Sequence, residues 1–225
     1  MAGFIVAIDG AAGSGKSTTA KGVARRLNFF YLDTGAMYRA FTLKYLQEKS
    51  VGIGEPVIKR LLQETRIRLE KEGDEYHTYL DGEDVSLKIR EPEVNRFVSQ
   101  VSAIPEVREW MVHQQRRIAK DKNVVCEGRD IGTVVFPDAQ VKIFMKADIE
   151  VRARRRKKEL LEKDIDVDLA EVMENLKFRD QYDSTREHSP LRVARDAVII
   201  DTTNLTIEQE INLVEKIVRA RLKSL

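Results

Sequence analysis

Residues 10–17 read GAAGSGKS, a full match to G-x-x-x-x-G-K-[ST]. The motif follows an unbroken apolar run, Phe4 to Ile8, and opens a helical pattern over residues 16–27. Strand, glycine loop and helix in that order are the context this motif needs to work. Gly10, Gly13 and Gly15 let the backbone turn tightly, so that its N–H groups, those of Ala11, Ala12 and Ser14 included, come close to phosphate oxygens. The helix that follows adds the positive end of its dipole. Lys16 is a point charge for the β- and γ-phosphates, and Thr18 closes the candidate ATP-binding segment. The Ser17 hydroxyl is a hard oxygen ligand suited to Mg²⁺. A chain with this start is expected to fold around a parallel sheet and to hold a nucleoside triphosphate.

The rest of the chain agrees with that expectation. Apolar runs recur at Asn28–Leu32, Val124–Cys126, Val141–Met145 and Ala197–Ile200, and each reads as a strand buried on both faces. Helical spacing fills residues 16–27, 36–48, 106–120, 149–162 and 207–222. Alternation of this kind predicts an α/β three-layer fold, with about five parallel strands between helices and right-handed crossovers. One stretch breaks the rhythm. Ile67 and Leu69, then Tyr76, Thr78 and Leu80, alternate with polar residues, and Gly73-Asp74 and Asp81-Gly82 supply turns. This predicts a half-buried antiparallel hairpin inside an insertion at about residues 51–95. A charged stretch from Arg152 to about Asp168 reads as two helices joined by a turn, with little apolar material to hold it down. The expected organisation is a single domain over residues 1–225. Its core is 1–50, 96–150 and 169–225, the insertion is 51–95 and a lid occupies 151–168.

Composition removes other classes. The 39 basic and 37 acidic residues nearly cancel, leaving a net charge of +2 and no broad field for nucleic acid or membrane. One cysteine excludes a disulfide scaffold and a cysteine-based zinc site. No apolar run approaches the roughly 18–20 residues of a membrane span, and the N-terminus lacks a basic leader. The expectation is a soluble, cytoplasmic monomer, since no exposed apolar stripe marks a place for a second copy.

A guanine-reading N-K-x-D segment is absent, which argues against a regulatory GTPase. Phosphoryl transfer to a small molecule needs a second anion pocket, and arginines outside the loop can build one. They are Arg39, Arg108, Arg129, Arg152, Arg154, Arg155, Arg156, Arg179 and Arg186, several of them just after strands. A kinase for another acceptor, and a switch protein that hydrolyses ATP slowly, are the competing readings. The run RARRRKK at 152–158 also suits a nucleic-acid patch or a solvated helix face. Acidic neighbours and the lack of interleaved aromatics favour a phosphate lid.

Five segments together resemble the bacterial cytidylate kinases, of the P-loop nucleoside monophosphate kinase group. They are IDGAAGSGKST (8–18), LDTGAMYRA (32–40), SQVSAIPEVRE (99–109), EGRDIGTVVFPDA (127–139) and FRDQYDSTREHSPL (178–191). The resemblance implies transfer of a phosphoryl group from ATP to CMP or dCMP, with Mg²⁺. It implies that Thr34, Arg39, Ser99, Arg108, Arg129, Asp130, Arg179, Asp183 and Arg186 bind the acceptor. Arg39 and Arg129 would grip its phosphate, Ser99 and Arg108 would read the cytosine edge, and Asp183 and Arg186 would face the ribose. Lys16, Arg129, Arg152, Arg155 and Arg156 would act on the transferring group. The nine-residue spacing of Ser99 and Arg108 predicts two helices meeting near Pro105. Reading cytosine needs an acceptor for its amino group, and Asp130 is available.

Several residues have two open readings. Asp33 and Glu127 stand at strand ends, where a carboxylate either orients metal-bound water or holds loops. Cys126 reads as a small buried hydrophobe, Trp110 as packing, and His77, His113 and His188 show no metal spacing.

Overall fold

The first apolar run forms β1 (Ile5–Gly10), buried from Val6 onward. It has parallel strands on both sides. Val6 pairs with Val125 of β6 (Val124–Gly128) and with Val141 of β7 (Val141–Lys146). The outer strands are β2 (Phe30–Asp33) and β8 (Val198–Asp201), giving the order β2-β6-β1-β7-β8. The connection from β1 leads to one side of the sheet, whereas that from β7 leads to the other. The carboxyl ends of β1 and β7 therefore flank the switch point, where open α/β sheets bind ligands. The structure is a computed structural model that describes residues 3–48, 55–73, 75–162 and 165–224.

The chain divides into two compact units. The first holds residues 1–32 and 119–225, with the five-stranded sheet. Helix α1 (Lys16–Leu27) buries Ala20, Val23 and Ala24, and α8 (Ile207–Leu222) buries Ile211, Val214 and Val218. Thr206 starts α8 with a reciprocal capping box to Gln209. Expected and observed boundaries of α1 coincide. The next strand starts two residues later than expected because Asn28 ends α1 in the left-handed conformation (φ 54°). Asparagine tolerates that conformation better than most residues.

Helices α6 (Ile149–Leu161) and α7 (Leu169–Thr185) complete this unit. Among its described residues the charged stretch 152–168 thus holds one helix rather than two, and the next begins just beyond it. Nor is it short of apolar support. Ala153 packs with Val172 and Leu176, flanked by Ile149, Leu160, Val167 and Met173. Residues 163 and 164, within the expected lid, lie outside the described residues.

The second unit holds residues 33–118. Asp33 caps α2 (Thr34–Gln47) by accepting the Ala36 N–H at 2.8 Å. Helix α3 (Glu55–Glu64) precedes an antiparallel sheet of β3 (Ile67–Glu72), β4 (Glu75–Leu80) and the short β5 (Glu83–Asp84). Ile67 faces Leu80 and Leu69 faces Thr78, the alternation expected of the hairpin. Its first turn includes Asp74, and the insertion begins at 51–54; both lie outside the described residues. Helices α4 (Pro92–Val101) and α5 (Pro105–Ala119) follow, with Phe41, Leu61, Ile89, Val98 and Met111 in the core. Trp110 packs against Phe41, ring centroids 5.9 Å apart.

Candidate active site

The glycine loop leaves β1 at Gly10, where a Cβ would collide with the Met145 carbonyl oxygen of β7. Only glycine lets the loop start that close to the neighbouring strand. At Gly15, the residue before α1, φ is +90° and a Cβ would meet the Glu210 carboxylate. The loop is thus fitted to its surroundings at both ends. Lys16 is buried, its ammonium donating to the Ala11 carbonyl (3.1 Å) and lying 3.9 Å from Glu127. Glu127 in turn accepts from the Tyr31 hydroxyl at 3.1 Å. Ser17 and Thr18 are exposed at the start of α1, while the buried Ser14 hydroxyl has no hydrogen-bond partner.

Around this loop the first unit gathers charge. The Arg129 Nε donates to Asp183 at 2.9 Å. Arg186 lies 4.0 Å from both Asp183 and Asp130, and all three side chains are buried. Burial alone would push the Asp183 carboxyl up. Arg129, with its hydrogen bond, and then Arg179 and Arg186 outweigh that and hold it below the usual carboxylate range. Arg179 moves the other way: burial and the adjacent Arg129 charge lower it to about 10. Its Nε is a buried donor without a partner. A guanidinium lowered first by burial and then by a neighbouring guanidinium is one that an incoming anion would stabilise.

The lid arginines separate into different tasks. Arg152 donates to the Ala147 and Ala12 carbonyls and pairs with Asp180 at 2.7 Å, which ties α6 to both the glycine loop and α7. Arg156 pairs with Glu159 at 2.8 Å and contributes to the field on Arg179. Arg155 turns to the segment after β8 instead. It donates to the Thr202 hydroxyl and carbonyl and reaches Glu210 at 3.3 Å. The structure thus brings Arg129, Asp130, Arg179, Asp183 and Arg186 together, and it directs Arg155 elsewhere. The rest of the basic run is paired with acids: Arg154 with Glu150, Lys157 with Asp166 and Lys158 with Glu162.

The second unit holds the four remaining predicted residues, Thr34, Arg39, Ser99 and Arg108. Arg39 donates to Asn95 at 3.3 Å, and Asn95 donates to the Arg90 and Glu91 carbonyls. Arg90 also meets Asp33 at 3.1 Å. Burial raises the Asp33 carboxyl, but Arg90, Arg39 and the Ala36 N–H more than offset it, leaving the group below its ordinary range. Thr34 is buried at the start of α2. Ser99 lies on α4 and Arg108 on α5, the two-helix arrangement expected around Pro105. They are linked through Ser102, whose hydroxyl donates to the Ser99 carbonyl while its own carbonyl accepts from Arg108, each at 3.0 Å. The Arg108 guanidinium lies over the Tyr38 ring, 5.5 Å from its centroid.

Two buried carboxylates escaped the sequence reading. Asp9 accepts the Ile131 and Gly132 N–H groups, and Glu210 accepts the Thr19 hydroxyl at 2.8 Å. Each had a signal. Asp9 ends an otherwise apolar buried run, and Glu210 sits four residues before Val214 and eight before Val218, on the helix face that packs inward.

Among the described residues, no group of three or more His, Cys, Asp or Glu is placed to hold a metal ion, and no helix is long and apolar enough to cross a membrane. A family model described as cytidylate kinase matches residues 6–220. A cytidylate kinase of Fusobacterium nucleatum subsp. nucleatum is 52% identical over 217 residues, covering 96% of this chain and 97% of that one. One from Caldanaerobacter subterraneus subsp. tengcongensis is 51% identical over 218 residues, covering 97% and 96%. An uncharacterised protein from Eubacterium ventriosum shares the fold, with a TM-score of 0.51 at 13% identity over 96% of this chain and 98% of that one. Sequence agreement of this extent, over nearly the whole chain, shows that the chain belongs to the cytidylate kinase family.

Proposed function

We propose that this chain transfers the γ-phosphoryl group of ATP to CMP or dCMP, yielding CDP or dCDP and ADP. The observation that carries the reading is the cluster about Asp183: Arg129 at 2.9 Å, Arg186 at 4.0 Å and the Arg179 charge, three buried or half-buried guanidinium groups suited to phosphate. Residues 10–18 take the triphosphate, with Lys16 on the β- and γ-phosphates. Arg129, helped by Arg39, takes the acceptor phosphate, and Arg152, Arg156 and Arg179 neutralise the group in flight. Arg155 acts at one remove, by fixing α6 to the segment after β8.

The acceptor needs no strong base, because its phosphate oxygen is already anionic near neutral pH. Asp183, held ionised by Arg129, is instead a hydrogen-bond acceptor for a ribose hydroxyl. Ser99 and Arg108 read the cytosine edge, with Asp130 accepting from the amino group. Uracil presents the opposite polarity there, and a buried polar group left unpaired costs about 1–3 kcal/mol, so UMP should be a poor acceptor.

Magnesium suits the donor set. Ser17 offers one exposed hydroxyl, and a Mg²⁺ ion keeps several waters and binds mainly through nucleotide phosphates. When bound, the ion neutralises charge between the β- and γ-phosphates. The insertion within residues 51–95 serves the acceptor, and residues 151–168 act as a lid that excludes water during transfer. The test is a coupled assay across CMP, dCMP, UMP, AMP and shikimate. CMP or dCMP should be turned over fastest. Faster use of UMP or AMP would overturn the reading, as would ATP hydrolysis indifferent to every acceptor.

A further inference from the structure

Asp9 is the last side chain before the glycine loop, and it is almost fully enclosed at 4% exposure. Its two carboxylate oxygens do separate work. Oδ1 accepts the Ile131 N–H at 2.7 Å and Oδ2 accepts the Gly132 N–H at 2.8 Å. Both donors belong to the π-turn Ile131–Val135, whose first residue directly follows Arg129 and Asp130. The approach is close: a Cβ on Gly132 would stand 3.3 Å from Oδ2 and 3.2 Å from the Lys142 side chain. Asp130, which precedes the turn, has no capping bond from its own side chain. A neighbouring residue therefore does the capping, from the strand that launches the phosphate loop.

We propose that Asp9 is a positioning residue, which fixes the loop carrying Arg129 and Asp130 to the starting point of the glycine loop. This rests on the acceptor role proposed for those two residues. One side chain thereby sets the spacing between the group that gives up a phosphoryl and the groups that orient its receiver. An error of about 1 Å in such spacing can cost a factor of about a hundred in rate.

The charged surroundings explain how the carboxylate behaves. Burial raises the Asp9 carboxyl to about 6, and the Asp130 charge adds to the rise. The two N–H groups and Lys16 oppose it. Lys142, from β7, is turned to Asp196 at 2.9 Å, and Arg186 lies beside Asp130 at 4.0 Å. When one oxygen takes up a proton it becomes a donor facing a donor, and one of the two bonds is lost. The clasp should therefore loosen as the solution is acidified.

The experiment joins amide NMR with steady-state kinetics on the full chain. In the wild-type protein, the Ile131 and Gly132 amide resonances should titrate together with a midpoint near 6. In Asp9→Asn those shifts should disappear, since the amide keeps one acceptor and turns a donor toward the other N–H. The KM for CMP should rise about tenfold, with the KM for ATP within about twofold. The rise of the CMP KM expected on acidifying the wild type should lose its enzyme-borne part in the variant, leaving that of CMP itself. A residue that merely supported the fold would lower the melting temperature and the active fraction without separating the two KM values. Amide shifts that stay flat from pH 5 to 7, or equal changes in both KM values, would overturn the proposal. Failure of the wild type to use CMP would count against the functional reading alone, because the amide titration needs no substrate.

Discussion

Arg129 and Asp183 stand 54 positions apart in the chain and meet at 2.9 Å. Truncating one partner of such a buried pair leaves an uncompensated charge, at a cost of about 3–5 kcal/mol. Arg129→Ala should therefore lower stability in chemical denaturation as well as acceptor use. Arg129→Lys should keep most of the stability and still lose acceptor affinity, because an ammonium cannot reproduce planar two-point contact with phosphate. Asp183→Ala and Arg186→Ala should weaken CMP use far more than ATP binding measured by direct titration. Equal loss of both would refute their assignment to the acceptor. Lys16 calls for a different pattern. Lys16→Met preserves the buried stem and removes the charge, so kcat should fall by about a hundredfold to a thousandfold, and the melting temperature should fall too because the buried Glu127 carboxylate loses the ammonium 3.9 Å away.

Among the helices and strands, α6 and α7 carry the arginines and depend on a small apolar seam of Ala153, Val172 and Leu176. Leu176 is 2% exposed, and Leu176→Ala should cost about 2–5 kcal/mol in urea denaturation. It should also raise the KM for CMP, since α7 carries Arg179 and Asp183. This seam was hard to read beforehand. Val172 and Leu176 are four apart on a helix otherwise full of charge, and what they bury is supplied by another helix. By contrast, α1 was legible to its ends, because the glycine loop starts it and Ala20, Val23 and Ala24 keep strict helical spacing. The central strands β1 and β6 were legible because both faces are buried and few polar residues interrupt them, whereas β8, expected to be buried on both faces, lies at the sheet edge with Val198 and Ile199 exposed. The interruptions were the informative part. Asp9 and Glu210 occupy places where an apolar residue is the default, and what each carboxylate bonds to is a matter of tertiary structure.

Acid should act on the protein in two opposed stages. Asp33 and Asp183 have folded values below the unfolded value of about 3.9, so their stabilisation is present above that pH and is lost as pH falls through the folded values. Asp9 and Glu210 are raised by burial, so their ionisation costs stability above the folded value and acidification relieves it. The melting temperature should hold or rise slightly from pH 7 to about 5 and then drop steeply below about 4. A monotonic fall from pH 7 would contradict this division of roles. The sheet offers a further handle on the same opening. Cys126, the chain's one cysteine, is fully enclosed in β6 between β2 and β1. A water-soluble alkylating reagent reaches that sulfur only when the strands part. Its labelling rate is consequently a built-in clock for breathing of the native protein, readable by mass spectrometry without introducing any probe.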